Sequence, residues 1–273
     1  MPELPEVETI RLQLDQALRG LKIVGVEVLH PKSFIGEIGE IRERRVRGVQ
    51  RRGKMIFLEL EGGKFLVIHL KLTGQLIYQG DRGNRGNQGE LPNKFTRVII
   101  SFDNGGKLYF NDLRIFGWMR VIREIGEIGE IGVEPFDKEF TVEYLQKIFA
   151  KTGRPIKLVL MDQTKIAGIG NIYANEALFE AGIRPAKRAK ELRDEDIKIL
   201  RYSILEVLQE GIKYGGASAA DEAYIKPDGT PGKYQEHFRA YQREGKKCRR
   251  CGEIIKRINL GGRGTFFCEK CQR

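Results

Sequence analysis

All four cysteines of the chain lie in its last 26 residues, spaced as Cys248-x2-Cys251-x16-Cys268-x2-Cys271. Two Cys-x2-Cys pairs at this separation match a tetrahedral zinc site with four thiolate ligands. Because four protein ligands leave no open position, the sequence predicts one structural Zn2+, which stabilises a segment too short to build its own core. Disulfides are the alternative, but they require an oxidising compartment, and no export signal is visible.

The apolar pattern changes along the chain from helix to strand and back to helix. Helical spacing at the start of the chain predicts a helix that Gly20 ends; its apolar residues are Leu4, Val7, Ile10, Leu14 and Leu18. Short β-branched or alternating segments follow, and several are separated by Gly, Asn or Asp turns. The strands predicted from these segments include Lys22–Leu29, Met55–Leu60, Phe65–Leu70, Arg97–Phe102, Lys107–Phe110 and Trp118–Ile122.

Helical patterns return from Thr141 onward. The predicted helices are Val142–Lys151, Arg154–Met161, Asn171–Ala181 and Asp194–Tyr214. The sequence therefore predicts an α+β fold with an N-terminal helix and an antiparallel β-sandwich, followed by a helical domain and a zinc finger. The predicted domains are residues 1–133, 134–240 and 241–273.

The chain carries a formal net charge of +11 over 273 residues, and the charge is concentrated in two runs. Gln242 to Arg273 contains 10 Lys/Arg and 3 Asp/Glu, while Arg42 to Lys54 contains 7 basic residues and one acid. A single basic run is usually a solvated face, but two runs favour an extended anionic partner such as nucleic acid. The sequence contains no long apolar run of the kind that predicts a membrane span, and its acidic start does not match a secretion signal.

The chain begins Met1-Pro2-Glu3-Leu4-Pro5-Glu6. A small second residue favours removal of the initiator methionine, which would leave Pro2 with a free secondary amine. An α-amino group titrates near pH 8, so a useful fraction is unprotonated at neutral pH and can attack an electrophilic carbon. Glu3 and Glu6 share a helix face. A capped surface helix is the alternative interpretation of this segment.

A glycine-rich turn at residues 162–173 joins two predicted helices, and Asn171 is predicted to cap the second of them. Amides at such a helix start suit a phosphate, although this signal is weak by itself. Three low-complexity patches are interpreted as surface insertions without assigned function. They are Ile35–Ile41, Ile125–Gly132 and the glycines at positions 80, 83, 86 and 89.

These motifs together resemble the formamidopyrimidine-DNA glycosylases, bacterial enzymes that excise oxidised purines. Residues 2–9 are similar to the N-terminal segment of that family's members. The turn at 162–173 is similar to their helix–two-turn–helix, and the four-cysteine segment to their zinc finger. The likeness runs from end to end, interrupted by the low-complexity patches. It implies a β-sandwich domain, a helical domain and a DNA cleft between them.

The resemblance also implies catalytic roles. Pro2 would attack C1′ of the damaged nucleotide, and Glu3 would be the acid that assists base departure and ring opening. Glu6 would support this site. Lys54 matches a family lysine linked to phosphate binding and β-elimination, and Arg263, near the tip of a predicted hairpin, matches the arginine assigned to δ-elimination.

Further residues match the positions at which the family contacts DNA. Arg114 and Phe116 match the pair that fills the gap left by the extruded base, although sequence alone would favour strand-end charge and sheet core. Leu72 stands where the family usually has an intercalating methionine, and Phe95 replaces a DNA-contacting histidine. His69, Lys157 and Asn171 match phosphate contacts, and Arg154 is expected to join them, though a lone strand histidine such as His69 is more often structural.

Residues 215–233 correspond to a mobile loop over the extruded base, in which Ser218 and Tyr224 would touch that base. Gln242 replaces a usual glycine before the zinc knuckle, which would alter the turn there.

The expected partner is double-stranded DNA containing an oxidised purine opposite cytosine, bound by a monomer in the bacterial cytoplasm at the nucleoid. Two alternatives remain at this point. One is an endonuclease VIII-like glycosylase for oxidised pyrimidines, which the Leu4 start and the Arg114/Phe116 pair disfavour. The other is a DNA-binding zinc-finger protein without catalysis, which would follow if Met1 were retained.

Overall fold

The computed structural model describes residues 1–80, 90–218 and 224–273. It has the predicted α+β architecture, with two β-sheets, a helical region and a hairpin beside four cysteines. Contacts divide the chain into two compact units, Met1–Gly129 with Tyr214–Gln235, and Glu130–Lys213 with Glu236–Arg273. We call these the N-terminal and the helical unit. The predicted division into 1–133, 134–240 and 241–273 stays a prediction.

Helix α1, Leu4–Leu18, begins the N-terminal unit as predicted. Its five apolar residues at helical spacing are all fully buried: Leu4, Val7, Ile10, Leu14 and Leu18. After the helix, Gly20 adopts a φ of 85°, a left-handed conformation that glycine reaches without a Cβ clash. The Asp15 carboxylate accepts a hydrogen bond of 2.8 Å from Val49 N, which ties the helix to a neighbouring strand.

Two β-sheets follow helix α1 in the N-terminal unit. The strands are β1 Ile23–Val28, β2 Phe34–Ile35, β3 Val46–Arg52, β4 Met55–Leu60, β5 Lys64–His69, β6 Gly74–Gln79, β7 Thr96–Phe102, β8 Lys107–Asp112 and β9 Trp118–Ile122. The four-stranded sheet has the order β1-β7-β8-β6, and the five-stranded sheet has the order β2-β9-β5-β4-β3. Apolar residues from both sheets and from α1 form one buried cluster, which is the packing of a sandwich.

The six strands named in the sequence analysis are confirmed, and β2, β3 and β6 are additional. Strand β3 lies inside the basic run 42–54, where its buried residues Val46 and Val49 alternate imperfectly with charged ones. A register shift between Val46 and Gly48 breaks the alternation, which explains why periodicity missed it. One pair departs from the antiparallel expectation, because β2 runs parallel to β9.

The helical unit contains the four helices predicted for it. They are α2 Val142–Ala150, α3 Ile156–Leu160, α4 Asn171–Glu180 and α5 Asp194–Lys213. Strands β10 Lys256–Leu260 and β11 Arg263–Phe267 form the hairpin between the cysteine pairs. Short 3-10 turns in the two units are Pro31–Ser33, Ile38–Glu40, Ile125–Ile128, Ala189–Glu191 and Tyr234–His237.

The low-complexity patches have different structures. Ile41, at the end of the first patch, is fully buried in the core, so part of that patch contributes to the fold rather than being a surface insertion. The second patch forms a 3-10 turn with Ile125 exposed. In the third patch, the glycines at positions 83, 86 and 89 lie outside the described residues. Gln242 has a φ of 54°, a left-handed conformation that favours the glycine usual at this position.

Candidate active site and nucleic-acid contacts

The start of α1 carries the predicted nucleophile and both predicted carboxylates. Pro2, Glu3 and Glu6 are all buried, with Glu3 2% and Glu6 1% exposed. Pro5 occupies the first turn, where its missing N–H costs no helical hydrogen bond. The Glu6 carboxylate accepts a hydrogen bond of 2.8 Å from Glu3 N through Oε2. Glu6 therefore holds the backbone of Glu3, one residue after the proline.

A second segment of the same unit binds the other oxygen of Glu6. Ala217 N donates to Glu6 Oε1 at 2.8 Å, in a fully buried contact. Gly216 has a φ of 79°, and a Cβ there would lie 2.8 Å from Glu6 Cγ. Glycine is thus required for both backbone conformation and space. No local pattern in the sequence indicates this contact, because the two groups are 211 residues apart.

Tyr224 and Ser218 are both engaged within the N-terminal unit, and the residues between them, 219–223, lie outside the described residues. Tyr224 is 3% exposed, and its hydroxyl donates to Gly215 O at 3.1 Å. Burial, reinforced by the Glu6 carboxylate, raises the pKa of Tyr224 well above its usual value. Ser218 Oγ donates to Tyr224 O at 2.6 Å. Contact of either side chain with a base stays a prediction.

Lys54 lies in the tight turn between β3 and β4, directly after Gly53, which has a φ of 57°. Its side chain is 6% exposed. The next residue, Met55, pairs with His69 across the β4–β5 ladder. Lys54 and His69 therefore share one end of the five-stranded sheet.

His69 is neutral at physiological pH in this environment. Burial lowers the pKa of its imidazole to about 3, and the Lys71 and Lys54 charges act in the same direction. Lys71 N donates to Nδ1 at 3.0 Å, so the neutral ring carries its proton on Nε2. A neutral imidazole with its donor at Nε2 can still bind a phosphate oxygen.

This pKa shift gives a testable pH dependence of stability. The unfolded imidazole, with a pKa near 6.5, takes up a proton as pH falls, while the folded one stays neutral until about pH 3. The free energy of unfolding should therefore fall faster in wild type than in His69→Gln, by about 1 kcal/mol per pH unit between pH 6 and 4. Denaturant titrations at each pH measure this difference, and parallel curves for the two proteins would contradict it.

The predicted gap-filling residues lie in the loop between β8 and β9. Phe116 is 53% exposed, and the Arg114 guanidinium lies over its ring at 4.9 Å from the centroid. Leu72 is half-buried in the loop between β5 and β6. At the position of the missing histidine, half-buried Phe95 lies beneath the Lys94 ammonium, 5.1 Å from its ring centroid.

In the helical unit, side-chain hydrogen bonds shape the glycine-rich turn. Gln163 donates to Met161 O at 2.9 Å and to Ile169 O at 2.7 Å, and accepts from Gly168 N at 2.9 Å. Arg154 forms an ion pair of 3.0 Å with Asp162 while its side chain stays 54% exposed.

The predicted cap of α4 is wrong. Gly170 is the N-cap residue, because its extended φ of −130° ends the turn, and Asn171 is the first helical residue. Asn171 lies half-buried at the start of the helix, and its backbone carbonyl accepts from Asn175 Nδ2 at 2.6 Å.

Lys157 and Asn175 hold the zinc-finger hairpin from within the helical unit. The Lys157 side chain is fully buried, and its Nζ donates to Gly264 O at 3.0 Å and to Thr265 Oγ1 at 2.7 Å. Asn175 Oδ1 accepts from Phe266 N at 2.8 Å. The structure therefore places Lys157 against the strand that begins with Arg263, and its phosphate contact stays a prediction.

Arg263 lies beside the tip of the predicted hairpin and is exposed. The turn uses Gly261 and Gly262, whose φ values of 59° and 74° match a two-residue type I′ turn. A Cβ on Gly261 would lie 2.6 Å from the Leu158 side chain, so the turn packs closely on α3. The arginine is thus presented by a short turn with defined geometry.

The four cysteines converge as predicted. Their Sγ atoms all lie within 4.8 Å of one another. Zn–S bonds of about 2.3 Å in a tetrahedron place the sulfurs about 3.8 Å apart. The distances of 3.9 Å between Cys248 and Cys271 and 3.4 Å between Cys251 and Cys268 bracket that value. The cluster fits one structural Zn2+ with no open position, and the disulfide alternative is not needed.

Gln272 ties this cluster to the rest of the helical unit. Its fully buried amide accepts from Cys268 N at 2.9 Å and donates to Ile183 O at 2.9 Å.

Among the described residues, no helix is long and apolar enough to cross a membrane.

Three family domains match the chain in order. Residues 1–119 match the formamidopyrimidine-DNA glycosylase N-terminal domain, residues 131–222 its H2TH domain, and residues 245–273 the zinc finger found in FPG and IleRS.

Relatives and solved structures match the chain over nearly its full length. A formamidopyrimidine-DNA glycosylase of Pelotomaculum thermopropionicum is 42% identical over 100% of this chain and 99% of the relative. The crystal structure of MutM (Fpg) from Thermus thermophilus has a TM-score of 0.88 and 36% identity, covering 99% of this chain and 98% of that one. Lactococcus lactis Fpg in complex with Fapy-dG-containing DNA has a TM-score of 0.87 and 33% identity, covering 99% and 100%. The chain therefore belongs to the formamidopyrimidine-DNA glycosylase family.

Proposed function

We propose that this protein is a base-excision repair enzyme that removes oxidised purines from duplex DNA and then cleaves the strand. The observation that carries the proposal is the buried cluster of Pro2, Glu3 and Glu6 at the start of α1. Burial excludes water from a nucleophilic amine, and Glu6 holds the backbone that positions Glu3. Family membership and the Fapy-dG complex of the Lactococcus lactis relative support the same substrate class.

Chemistry at this cluster begins with removal of Met1, which turns the Pro2 nitrogen from an amide into an amine. The amine attacks C1′ of the damaged nucleotide, an N–C1′ bond forms, and the glycosidic bond to the base breaks. The Pro2 nitrogen loses its proton, which neutralises the departing base, and Glu3, the acid that assists departure and ring opening, donates a proton to the sugar ring oxygen as the ring opens. The product is an iminium that links Pro2 to the deoxyribose.

The iminium makes the C2′ proton acidic, so its loss expels the 3′ phosphate by β-elimination. Lys54, at the sheet end that also carries His69, is proposed to bind phosphate during this step. Arg263, exposed beside the hairpin tip, is proposed to assist δ-elimination of the 5′ phosphate. Water then hydrolyses the imine and frees the enzyme.

Access to C1′ requires the damaged nucleotide to leave the base stack, at a cost of a few kcal/mol. Phe116 is an exposed aromatic ring on a short loop, which suits insertion between base pairs. Leu72 is proposed to assist it, since leucine is apolar and similar in size to methionine. Arg114 is proposed to bind the cytosine left without a partner.

The remaining contacts with DNA are proposed to be polar. His69, Arg154, Lys157 and Asn171 would contact phosphates along the DNA backbone, and Ser218 and Tyr224 would contact the extruded base. We further propose that the protein acts as a monomer in the bacterial cytoplasm, at the nucleoid. The formal charge of +11 supports an extended polyanionic partner.

Borohydride trapping on a set of lesion duplexes tests the proposed substrate class. Borohydride reduces the iminium to a stable protein–DNA adduct, which migrates slowly in a denaturing gel. We expect the adduct to form at least about tenfold faster on duplex with 8-oxoguanine opposite cytosine than on duplex with an oxidised pyrimidine. Undamaged duplex is the control. Faster trapping on the oxidised pyrimidine would favour the endonuclease VIII-like alternative, and no adduct from trimmed, zinc-loaded protein would overturn the assignment.

A further inference from the structure

Two loops of the N-terminal unit carry the residues proposed to enter the base stack. One is residues 70–73, between β5 and β6, and carries Leu72. The other is residues 113–117, between β8 and β9, and carries Arg114 and Phe116. We call them the wedge loops. They are far apart in sequence, yet the last residue of β8, Asp112, is paired with Gly74, the residue that follows the first loop.

Asp112 binds both ends of the second wedge loop. Its side chain is fully buried, although a carboxylate is costly to remove from water unless it is well paired. Oδ2 accepts a hydrogen bond of 2.7 Å from Gly117 N, and Oδ1 accepts one of 3.2 Å from Arg114 N. The Asp112 side chain therefore binds the backbone near both ends of this five-residue loop.

Thr73 connects this arrangement to the first wedge loop. Its hydroxyl donates to Asp112 Oδ1 and accepts from Arg114 N at 3.0 Å. One hydroxyl therefore uses both its donor and an acceptor site to join the two loops. The residue next to it in the chain is Leu72, so the connection is made directly beside the side chains proposed to enter the stack.

Close packing and one left-handed residue constrain the second wedge loop. A Cβ on Gly117 would lie 2.8 Å from the Phe110 ring and 3.1 Å from Asp112 Oδ2. Ile115 has a φ of 57°, which is strained for a β-branched residue and requires support from its neighbours. The Asp112 hydrogen bonds on either side of Ile115 provide that support.

We propose that Asp112 and Thr73 are positioning residues that hold the two wedge loops as one rigid element. Leu72, Arg114 and Phe116 then enter the stack together, without loop ordering being added to the cost of extruding the base. This inference rests on the wedge role assigned to those three residues under the proposed function.

The test compares Thr73→Val, which keeps the shape of the side chain and removes the hydroxyl, with Thr73→Ser, which keeps the hydroxyl. Thr96→Val is the matched control, because Thr96 is a buried threonine of the same unit whose Oγ1 accepts from Asn93 N. Asp112→Asn is a second variant, since its amide would place a donor opposite the N–H of Gly117 or Arg114. Thermal unfolding checks that each variant is folded.

Two single-turnover rates and one spectroscopic signal are measured. The rates are excision of 8-oxoguanine from duplex and cleavage of a preformed abasic site, and the signal is fluorescence of 2-aminopurine placed beside the lesion. We expect Thr73→Val to slow excision about tenfold and to slow the fluorescence rise equally, with abasic cleavage within about twofold of wild type. An abasic nucleotide has no base to unstack, so it depends less on the wedge. Thr73→Ser should restore the excision rate.

Equal losses on both substrates, or the same loss in Thr96→Val, would show that the hydroxyl is only structural and would overturn the proposal. A Phe116→Ala variant distinguishes failure of the positioning role from failure of the wedge role. If Phe116→Ala removes the fluorescence rise and Thr73→Val does not slow it, only the positioning role is wrong. If Phe116→Ala leaves extrusion unchanged, the wedge role itself is wrong, and the positioning role with it.

Discussion

A chain that keeps a residue in front of Pro2 is expected to form no covalent adduct with damaged DNA. Inserting arginine between Met1 and Pro2 prevents methionine removal, because the second residue is then large, and it leaves the proline nitrogen in an amide. An amide nitrogen is not a nucleophile, so the rate of borohydride trapping should fall about a thousandfold or more. Intact mass measurement confirms the state of the N-terminus.

Two controls show whether a loss of trapping is chemical. Affinity for a duplex with a stable abasic analogue should stay within about threefold of wild type, since phosphate contacts dominate binding. Pro2→Gly, trimmed to a free primary amine, should still form an adduct at a reduced rate. Trapping by the insertion variant at the wild-type rate would place the nucleophile elsewhere, with Lys54 the first residue to test.

Loss of zinc is expected to have the second largest effect, on DNA affinity. Cys268 is fully buried in the thiolate cluster, and Cys268→Ser or chelation removes the energy that folds the segment. The β10–β11 hairpin would lose its defined position, and with it the exposed Arg263. Affinity for lesion duplex at physiological salt should fall about a hundredfold, which corresponds to about 3 kcal/mol.

Arg263→Ala is the matched variant for the zinc experiment. It removes one exposed charge and should keep the metal, the hairpin and most of the affinity, while the product of δ-elimination is lost. Metal content by absorption spectrometry and helical content by circular dichroism establish what has unfolded. Wild-type affinity in protein confirmed to lack metal would contradict the assigned role of the finger.

Local patterns were sufficient for much of the fold and of the candidate site. The helix of α1, the strand Met55–Leu60 and the four helices of the helical unit follow from periodicity within a few turns of chain. The thiolate cluster follows from spacing, because two short knuckles with a long separation match only a few metal sites. Strand β3 was missed where a register shift and a run of arginines concealed its buried face.

Other predictions required the packed chain. Asparagine is a common helix cap, so Asn171 was predicted to cap α4, but the turn places Gly170 at the N-cap position. The phosphate contact of Lys157, which the family resemblance implies, stays a prediction, and only the folded chain shows that its ammonium also binds Gly264 O and Thr265 Oγ1 of the hairpin. Propensity records what a side chain can do, whereas its actual partner depends on which groups lie within 3 Å after folding.

Short motifs, and the family resemblance that they carry, were enough to predict the chemistry of this protein, because Pro2, Glu3 and Glu6 lie within one helical turn and the cysteines lie in two close pairs. How those groups are held became visible only in the folded chain. The Glu6 carboxylate accepts a hydrogen bond from Ala217 N, 211 residues away, and the Thr73 hydroxyl donates to Asp112, 39 residues away. Hydrogen bonds act over about 3 Å, so partners distant in the chain meet only when burial of the apolar core brings their strands and loops together.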